Sequence, residues 1–394
     1  MERDQQQSRG DARDQLPADA RSIETPGKQT LTSALMAPIA MIAERMAGNL
    51  DQEVAALTPD QRSYYEQMLA SSPDPTRRET RETALEAARV SRGLTDDDRA
   101  AVIAAQEKLA SLKATPIDDG SNPNLVQLQI TFDGTWNDRD EMIFDTNPAL
   151  INERFKGSKD YQVGVGTGGI VDKALGGGTG HGITDRIDRA YDNLVVRINE
   201  VKTANPKAEV VLVVTGFSRG STAARAFVNE LNKRGVPDLS SQQPDGSYAR
   251  QHPAPRIGVM VLFDTVASVG IPGNSINNGM DLSIPANAEN VLHLTAGDEK
   301  RTFFPLDSAK DPARPDDPRI AEIELPGAHS DVGGSYPNPY SQIPLQMALQ
   351  YMQERGVDVT PMAPEEIVDP NRPDLRLHDS GGRGERRVYP SQNP

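Results

Sequence analysis

The amino-acid sequence predicts an α/β protein with a mostly parallel β-sheet and helices on both faces of that sheet. Two observations lead to this class. Short apolar runs of strand length recur through residues 121–360 and alternate with helical patterns or loops. The strongest run, at 210–214, is apolar throughout and lacks the period-two alternation of a half-exposed strand. Such a strand is typical of the middle of a parallel sheet that helices cover on both sides.

Composition narrows the possible functions. The chain has 394 residues, a formal net charge of −15 and a pI near 4.9. Because phosphate binding needs a basic face, we expect no nucleic-acid partner. The chain contains no cysteine, which excludes a disulfide framework, a thiol nucleophile and a cysteine zinc site.

The first 120 residues are predicted to be accessory to the sheet. Residues 1–28 are polar and are expected to be disordered, and without an apolar core they do not form a signal peptide, so we expect synthesis in the cytoplasm. Residues 29–120 read as an α-helical region, in which Thr58 and Thr95 are the predicted N-caps of two helices. The apolar segment 31–46 is too short and too charged to span a membrane. We expect it to cover the entrance of the site as a lid or docking surface.

The first strand of the sheet is predicted at 125–132, where apolar and polar residues alternate before a turn at 133–138. Two glycine clusters follow, at 163–169 and 176–180. Neither contains the G-x-x-x-x-G-K-[ST] pattern of a phosphate-binding loop, so they are interpreted as mobile loops over a site and no cofactor is expected. A helix predicted at 185–201 then leads into the next strand.

The segment 209–227 reads as a strand, a sharp turn and a helix, and the turn is Gly-Phe-Ser-Arg-Gly. In this setting G-x-S-x-G forms a nucleophile elbow, because Gly216 and Gly220 carry no Cβ where strand and helix crowd around Ser218. The alternative is an ordinary turn in which the serine caps the helix. Ser218 is therefore the candidate nucleophile.

A serine nucleophile needs a base to accept its proton, and the chain has five histidines. His329 follows the strand predicted at 320–325, at the end of the sheet where Ser218 should lie. We assign the others to loops, to a buried strand or to a weakly structured tail over 361–394: His181, His252, His293 and His378. His329 is the candidate base.

Two aspartates compete as the acid that orients this base. Asp264 directly ends the strand predicted at 256–263, and Asp298 follows the strand predicted at 289–295. Both keep the chain order Ser, Asp, His. Asp264 has the better-fixed geometry because no loop separates it from its strand, although a strand-ending aspartate also caps turns.

Two backbone amides are expected to form an oxyanion hole: that of Arg219, after the serine, and that of Gly134, in the turn after the first strand. Asp331, just past the candidate base, is expected to hold its loop by accepting backbone N–H groups. The competing interpretation is a metal site shared with Asp133 or Asp138. We predict no metal.

These residues fall in four motifs: FDGTWND at 132–138, TGFSRGSTAAR at 215–225, LFDTVASVG at 262–270 and LPGAHSDVGGSY at 325–336. In this order the motifs resemble the α/β-hydrolase family typified by the phospholipase effectors of type VI secretion systems. The resemblance covers roughly residues 125–356 and leaves out the first 120 residues and the tail.

The resemblance implies an α/β-hydrolase-like fold and a triad of Ser218, Asp264 and His329, which favours Asp264 over Asp298. It further implies a phospholipase that cleaves a lipid carboxylic ester at a membrane surface through an acyl-enzyme. Such effectors are delivered into competing bacteria by a secretion apparatus and neutralised by an immunity protein. No long extension follows Gly356 in this sequence, so we expect the chain to differ from the larger effectors, which carry a membrane-binding extension there. A soluble esterase with another substrate and a non-catalytic binding protein remain as alternatives.

Overall fold

A computed structural model describes residues 50–72, 74–134, 145–164, 181–267, 279–301, 304–336 and 338–380. The chain divides into two compact units, residues 1–57 and 58–394, and within the first unit residues 50–55 are helical. The predicted disordered segment 1–28, the predicted lid helix 31–46 and most of both glycine clusters lie outside the described residues.

Within the described residues, the second unit contains a central sheet, two small antiparallel ladders and the helices that pack around them. Short 3-10 turns lie at Leu239–Ser241, Pro339–Ser341 and Pro364–Glu366. In chain order the elements are α1 Pro59–Ala70, α2 Arg78–Val90, β1 Ser91–Gly93, α3 Asp96–Ser111, β2 Leu125–Phe132, α4 Asn147–Arg154, β3 Ser158–Gln162, α5 His181–Ala204, β4 Glu209–Phe217, α6 Arg219–Arg234, β5 Val236–Pro237, β6 Gln251–His252, β7 Arg256–Phe263, β8 Ala288–Ala296, β9 Ile320–Leu325, α7 His329–Gly333, α8 Gln342–Glu354 and β10 Arg376–His378.

Six strands form the central sheet in the order β3-β2-β4-β7-β8-β9, and every neighbouring pair is parallel. The predicted α/β class with a mostly parallel sheet is therefore confirmed. The register pairs Phe132 with Gly216 and Gly216 with Leu262. Strands β2, β4 and β7 consequently end side by side, and the residues that follow them meet at one edge of the sheet.

Helices cover both faces of the sheet. α5 and α6 pack on one face, while α3, α4 and α8 pack on the other. In β4, Leu212 and Val214 point to the first face and Val211 and Val213 point to the second, and all four are fully buried. This two-sided burial explains why the β4 sequence does not alternate. Among the described helices, none has the length and apolar character needed to cross a bilayer.

The N-terminal helices are tied to the carboxyl-terminal segment. Thr58 and Thr95 cap α1 and α3 as predicted, each within a capping box. β1, which follows α2, pairs antiparallel with β10. The prediction of a weakly structured tail over 361–394 is wrong at β10, where Leu377 and His378 are buried. α1 to α3 belong to the same compact unit as the sheet, and the domain boundary near residue 120 stays a prediction.

Candidate active site

The turn between β4 and α6 holds Ser218 in a strained conformation, with φ 59° and ψ −126°. Within the described segments the other non-glycine residues with positive φ are Asp264 and Ser335. Such a backbone is costly and persists only where the surroundings enforce it. Here the Ser218 amide donates to the Phe263 carbonyl at 2.9 Å, and the Ser218 carbonyl accepts from the Ser221 amide at 3.0 Å. These bonds tie the elbow to the neighbouring strand β7 and to the first turn of α6.

The two glycines of the elbow are required by close backbone packing. A Cβ on Gly216 would lie 2.7 Å from the carbonyl oxygen of Gly220. A Cβ on Gly220 would lie 2.2 Å from the Phe132 oxygen and 2.5 Å from the Asp133 oxygen. The first turn of α6 therefore packs directly on the end of β2, which is the crowding that the elbow motif predicts.

Asp264 and His329 form a buried pair. His329 Nδ1 donates to Asp264 Oδ2 at 2.6 Å, and the second carboxylate oxygen accepts the Ala296 amide at 3.0 Å. The histidine is 4% exposed and the aspartate 0%. Because the carboxylate holds the proton on Nδ1, the neutral imidazole has its basic nitrogen at Nε2. This is the nitrogen that a nucleophilic serine requires.

Ser218 lies beside this pair. The ring of the preceding Phe217 is 4.5 Å from the imidazole between centroids, and the Ser218 carbonyl accepts the Val266 amide at 3.3 Å. Among the described residues, no hydrogen bond joins the Ser218 hydroxyl to His329. Catalytic hydrogen bonds are often long in unliganded enzymes and shorten when substrate binds. The structure thus brings the three predicted residues to one edge of the sheet, with the Asp–His bond already formed.

Asp298, the competing acid, has different partners. Its carboxylate accepts from the Gly327 amide at 2.9 Å and from Arg92 Nη2 at 3.3 Å. Its own amide donates to the Gly327 carbonyl at 3.0 Å. Asp298 therefore supports the turn before the histidine motif, whereas Asp264 is the carboxylate that contacts the imidazole.

The loop after β2 faces the first turn of α6, since Asp133 and Arg219 line the same small cavity. The Gly134 amide, a predicted oxyanion donor, donates to Asp133 Oδ1 at 2.6 Å in this structure. Asp133 Oδ2 accepts from the hydroxyl groups of Thr146, at 2.8 Å, and Tyr161. Gly134 must therefore exchange this partner before it can bind an oxyanion.

Asp331 and His378 form a second buried carboxylate–histidine pair. Asp331 Oδ2 accepts the amides of Ala328, at 2.9 Å, and His378, at 2.8 Å, while Oδ1 accepts from His378 Nδ1 at 2.6 Å. The Tyr64 hydroxyl lies 3.1 Å from His378 Nε2, and the Tyr336 ring stacks on the imidazole at 3.9 Å. Asp331 accepts backbone amides, as expected of a turn aspartate, and it joins the histidine loop to β10 and α1.

His293 is buried and hydrogen-bonded, in agreement with the interpretation from the sequence. Its Nδ1 lies 2.8 Å from Glu322 Oε2, and its Nε2 accepts from the amide of Thr265 at 3.2 Å. In the part of the chain that the structure describes, no cluster of three or more acidic or histidine side chains is arranged to hold a metal ion. Asp138, invoked in the alternative metal site, lies outside the described residues.

Glu299 also lies at this site, although the sequence pattern does not identify it. Its carboxylate is buried, accepts the main-chain amide of His329 at 3.1 Å and forms an ion pair with Arg301 at 2.8 Å. The only signal was its position just past β8, at the same edge of the sheet as the other site residues. The adjacent Asp298 has the same signal and is the residue that the sequence suggests as an acid. Spacing alone does not indicate which of the two adjacent acids is buried.

Residues 127–246 and 237–355 match the sequence profile of a family described as the catalytic domain of Tle1-like phospholipase effectors of the type VI secretion system. Together the two matches span 127–355, more than half of the 394 residues. This span contains all the candidate site residues from Gly134 to His329. No curated protein matches the chain.

Similar solved structures are distant in sequence. An uncharacterized protein from Pseudomonas aeruginosa is 22% identical, with 69% of this chain and 52% of that chain covered and a TM-score of 0.46. The Tle1 effector bound to the VgrG spike of the type 6 secretion system is 24% identical, with 59% and 57% covered and a TM-score of 0.38. An esterase of the bacterial hormone-sensitive lipase family is 14% identical, with 77% and 99% covered and a TM-score of 0.31. The chain spans little more than half the length of the first two proteins.

Proposed function

We propose, because the chain belongs to the family of Tle1-like phospholipase effector catalytic domains of type VI secretion systems, that it is a serine hydrolase that cleaves the carboxylic ester of a lipid. The observation that carries the proposal is the strained elbow that holds Ser218 at the same sheet edge as the buried Asp264–His329 pair. An elbow serves to expose a serine to substrate, and an Asp–His pair serves to take its proton. Membership of the family supports a phospholipid as the substrate class.

In the proposed reaction Ser218 Oγ attacks the ester carbonyl carbon while His329 Nε2 accepts the hydroxyl proton. Asp264, bonded to Nδ1, stabilises the imidazolium that forms. When the tetrahedral intermediate collapses, the bond to the alcohol breaks and the alcohol leaves with the proton from Nε2, so that an acyl-enzyme remains. A water molecule, deprotonated by the same nitrogen, then attacks the acyl group, and the carboxylic acid and free Ser218 are released.

The negative charge on the intermediate needs N–H donors directed at it. The Arg219 amide begins α6 directly after the nucleophile, where the helix dipole also favours negative charge. The Gly134 amide is the proposed second donor and would exchange Asp133 for the oxyanion. Each such donor contributes about 3 kcal/mol to stabilisation of the transition state. The bonds from Thr146 and Tyr161 keep Asp133 anchored during this exchange.

We further propose an antibacterial role, in which a secretion apparatus delivers the protein to the membrane lipids of a target cell and an immunity protein neutralises it in the producing cell. Family membership supports this role. The Tle1 effector is described as bound to the VgrG spike, which supports a spike protein as the class of secretion partner. Expression directed to the periplasm should lyse the host, and the Ser218→Ala variant should be harmless.

The test of the activity itself uses purified full-length protein and a mixed bacterial phospholipid extract, with released products identified by mass spectrometry. Wild type should release fatty acid and the matching lysophospholipid, and Ser218→Ala should release neither. Turnover of short soluble esters alone would contradict the lipid substrate and favour a general esterase. Folded wild type that cleaves no ester would contradict the hydrolase and favour a binding protein.

A further inference from the structure

Glu299 and Arg301 form a charged pair beside His329 that has no part in the reaction described above. The Glu299 side chain is 0% exposed and that of Arg301 is 35% exposed. Arg301 donates from Nε to Oε1 at 2.9 Å and from Nη2 to Oε2 at 2.8 Å, and its backbone amide also donates to Oε1 at 2.9 Å. Two parallel bonds between guanidinium and carboxylate form the most strongly oriented type of ion pair.

The same carboxylate holds the main chain of the candidate base, because Glu299 Oε2 accepts the His329 amide at 3.1 Å. The Phe304 ring supports the imidazole from another side, with an edge-on contact at 5.0 Å between centroids. Phe304 is in turn stacked under the guanidinium of Arg301, 3.8 Å from its ring centroid. Both the main chain and the ring of His329 are thus anchored on one ion pair.

Both members of the pair are charged at neutral pH. Burial raises the pKa of the Glu299 carboxyl, but the hydrogen bonds and charge of Arg301, together with the His329 imidazole, lower it to about 2. Burial opposes the charge of Arg301 as well, and the hydrogen bonds to Glu299 raise the pKa of its guanidinium above the ordinary value. The Glu299 carboxylate is therefore a full negative charge close to the imidazole, and Arg301, bonded to that carboxylate, carries the opposite charge.

In the described part of the chain, three further titratable groups lie near the imidazole or the ion pair. Asp264, at the end of β7, bonds Nδ1. Asp331, on α7, is paired with His378. Tyr336, after α7, lies near the ion pair as a neutral phenol, because burial raises its pKa. None of these three groups changes in the experiment below, so a shift in the imidazole titration reports on the pair.

We propose that Glu299 and Arg301 are positioning residues for His329: the carboxylate fixes the histidine main chain, and the balanced charges of the pair set the proton affinity of the imidazole. The inference rests on the proposed function only for the role of His329 as base. Because the two charges offset each other, the pair does not hold the imidazole protonated before the attack, and it does not oppose the imidazolium that forms when Ser218 attacks.

Three variants of the full chain separate charge from contact. Glu299→Gln keeps an oxygen that can accept the His329 amide but leaves the cation unbalanced. Glu299→Asp keeps the charge but is one methylene too short for that contact. The double variant Glu299→Gln, Arg301→Met removes both charges, and the methionine side chain at position 301 can still pack on Phe304.

The first readout is the titration of the His329 imidazole, followed by ¹⁵N NMR and assigned by its absence from His329→Gln. Its midpoint should fall by about one pH unit in Glu299→Gln, as expected next to an unbalanced cation. The midpoint should stay unchanged in Glu299→Asp and return to the wild-type value in the double variant. A purely structural role would not predict recovery on removal of a second residue.

The second readout is the rate at which a fluorophosphonate labels the protein across pH, with thermal unfolding as the control for folding. Glu299→Asp should label about tenfold more slowly at every pH, as expected for a slightly misplaced base. In Glu299→Gln the acid limb should move to lower pH. A His329 midpoint that is the same in all four proteins would overturn the inference. Wild type that resists the probe would instead contradict the proposed function, and the NMR titration would still decide the inference.

Discussion

Gly220→Ala is the substitution whose effect follows most directly from the geometry of the elbow. The added Cβ would lie 2.2 Å from the Phe132 oxygen, whereas real Cβ atoms keep at least 3.0 Å from such atoms. The two must therefore separate by at least 0.8 Å, the difference between these distances. Because both sides of the contact are backbone, the end of β2 or the first turn of α6 has to move.

A shift of this size acts on catalysis as well as on stability. It moves Ser218 away from the Asp264–His329 pair, or it moves the loop that carries Gly134. Misplacement by about 1 Å costs about 10² in rate, and overpacking of a close contact costs about 1–3 kcal/mol of stability. We therefore expect kcat/KM to fall at least about 100-fold, together with a lower Tm.

The assay is hydrolysis of a soluble nitrophenyl ester, with Tm measured on the same preparations. Gly93→Ala is the matched control, because a Cβ there meets nothing within 4 Å, and it should keep both the rate and the Tm. If Gly220→Ala hydrolysed the ester at the wild-type rate with an unchanged Tm, the description of the motif as a close-packed elbow would be refuted.

Three further predictions use other contacts. Asp264→Asn should lower kcat about 10⁴-fold, because the amide favours the wrong histidine tautomer. The kcat of Asp298→Asn should stay within about tenfold of wild type. Equal losses of kcat in steady-state assays would contradict the assignment of Asp264 as the acid. Burial raises the pKa of Glu322, but its hydrogen bond with a buried histidine lowers it to about 2. The ionised Glu322 thus stabilises the fold above the ordinary pKa of 4.5, and Tm should fall as the pH drops from about 5 to about 2. Glu322→Gln should make Tm less dependent on pH in this range, and an unchanged dependence would contradict the role of Glu322. Tyr64→Phe leaves the Nε2 atom of His378 without its partner and should lower the free energy of unfolding by about 1–3 kcal/mol in urea; an unchanged midpoint would show that this bond does not stabilise the fold.

The central sheet could be predicted from the sequence because strands buried on both faces have a strong apolar signature. β2, β7 and β9 have the predicted limits, and β8 extends one residue beyond them at each end. β4 runs from Glu209 to Phe217, beyond the apolar run at 210–214. The pattern does not predict β3, because its sequence, SKDYQ, carries two charges. It forms one edge of the sheet and is only partly buried. Its sequence therefore has no apolar periodicity from which a strand can be predicted.

The meeting of Ser218, Asp264 and His329 could be predicted because each follows a strand, and parallel strands bring their carboxyl ends to one edge. Their catalytic roles stay predictions. Glu299 also follows a strand, but so does Asp298 next to it, and spacing does not indicate which of two adjacent acids is buried. His378 lies in the short strand β10, and its burial depends on partners distant in sequence, Tyr64 and Asp331, which the local apolar pattern does not predict.

Covalent labelling tests most directly whether Ser218 is an activated nucleophile. We would incubate the folded full-length protein with a fluorophosphonate and locate the adduct by mass spectrometry of its peptides. One adduct per chain is expected, on Ser218, with none on Ser218→Ala and much slower labelling of His329→Gln. An adduct at another residue, or labelling of Ser218→Ala at the wild-type rate, would contradict the assignment of Ser218 as the nucleophile.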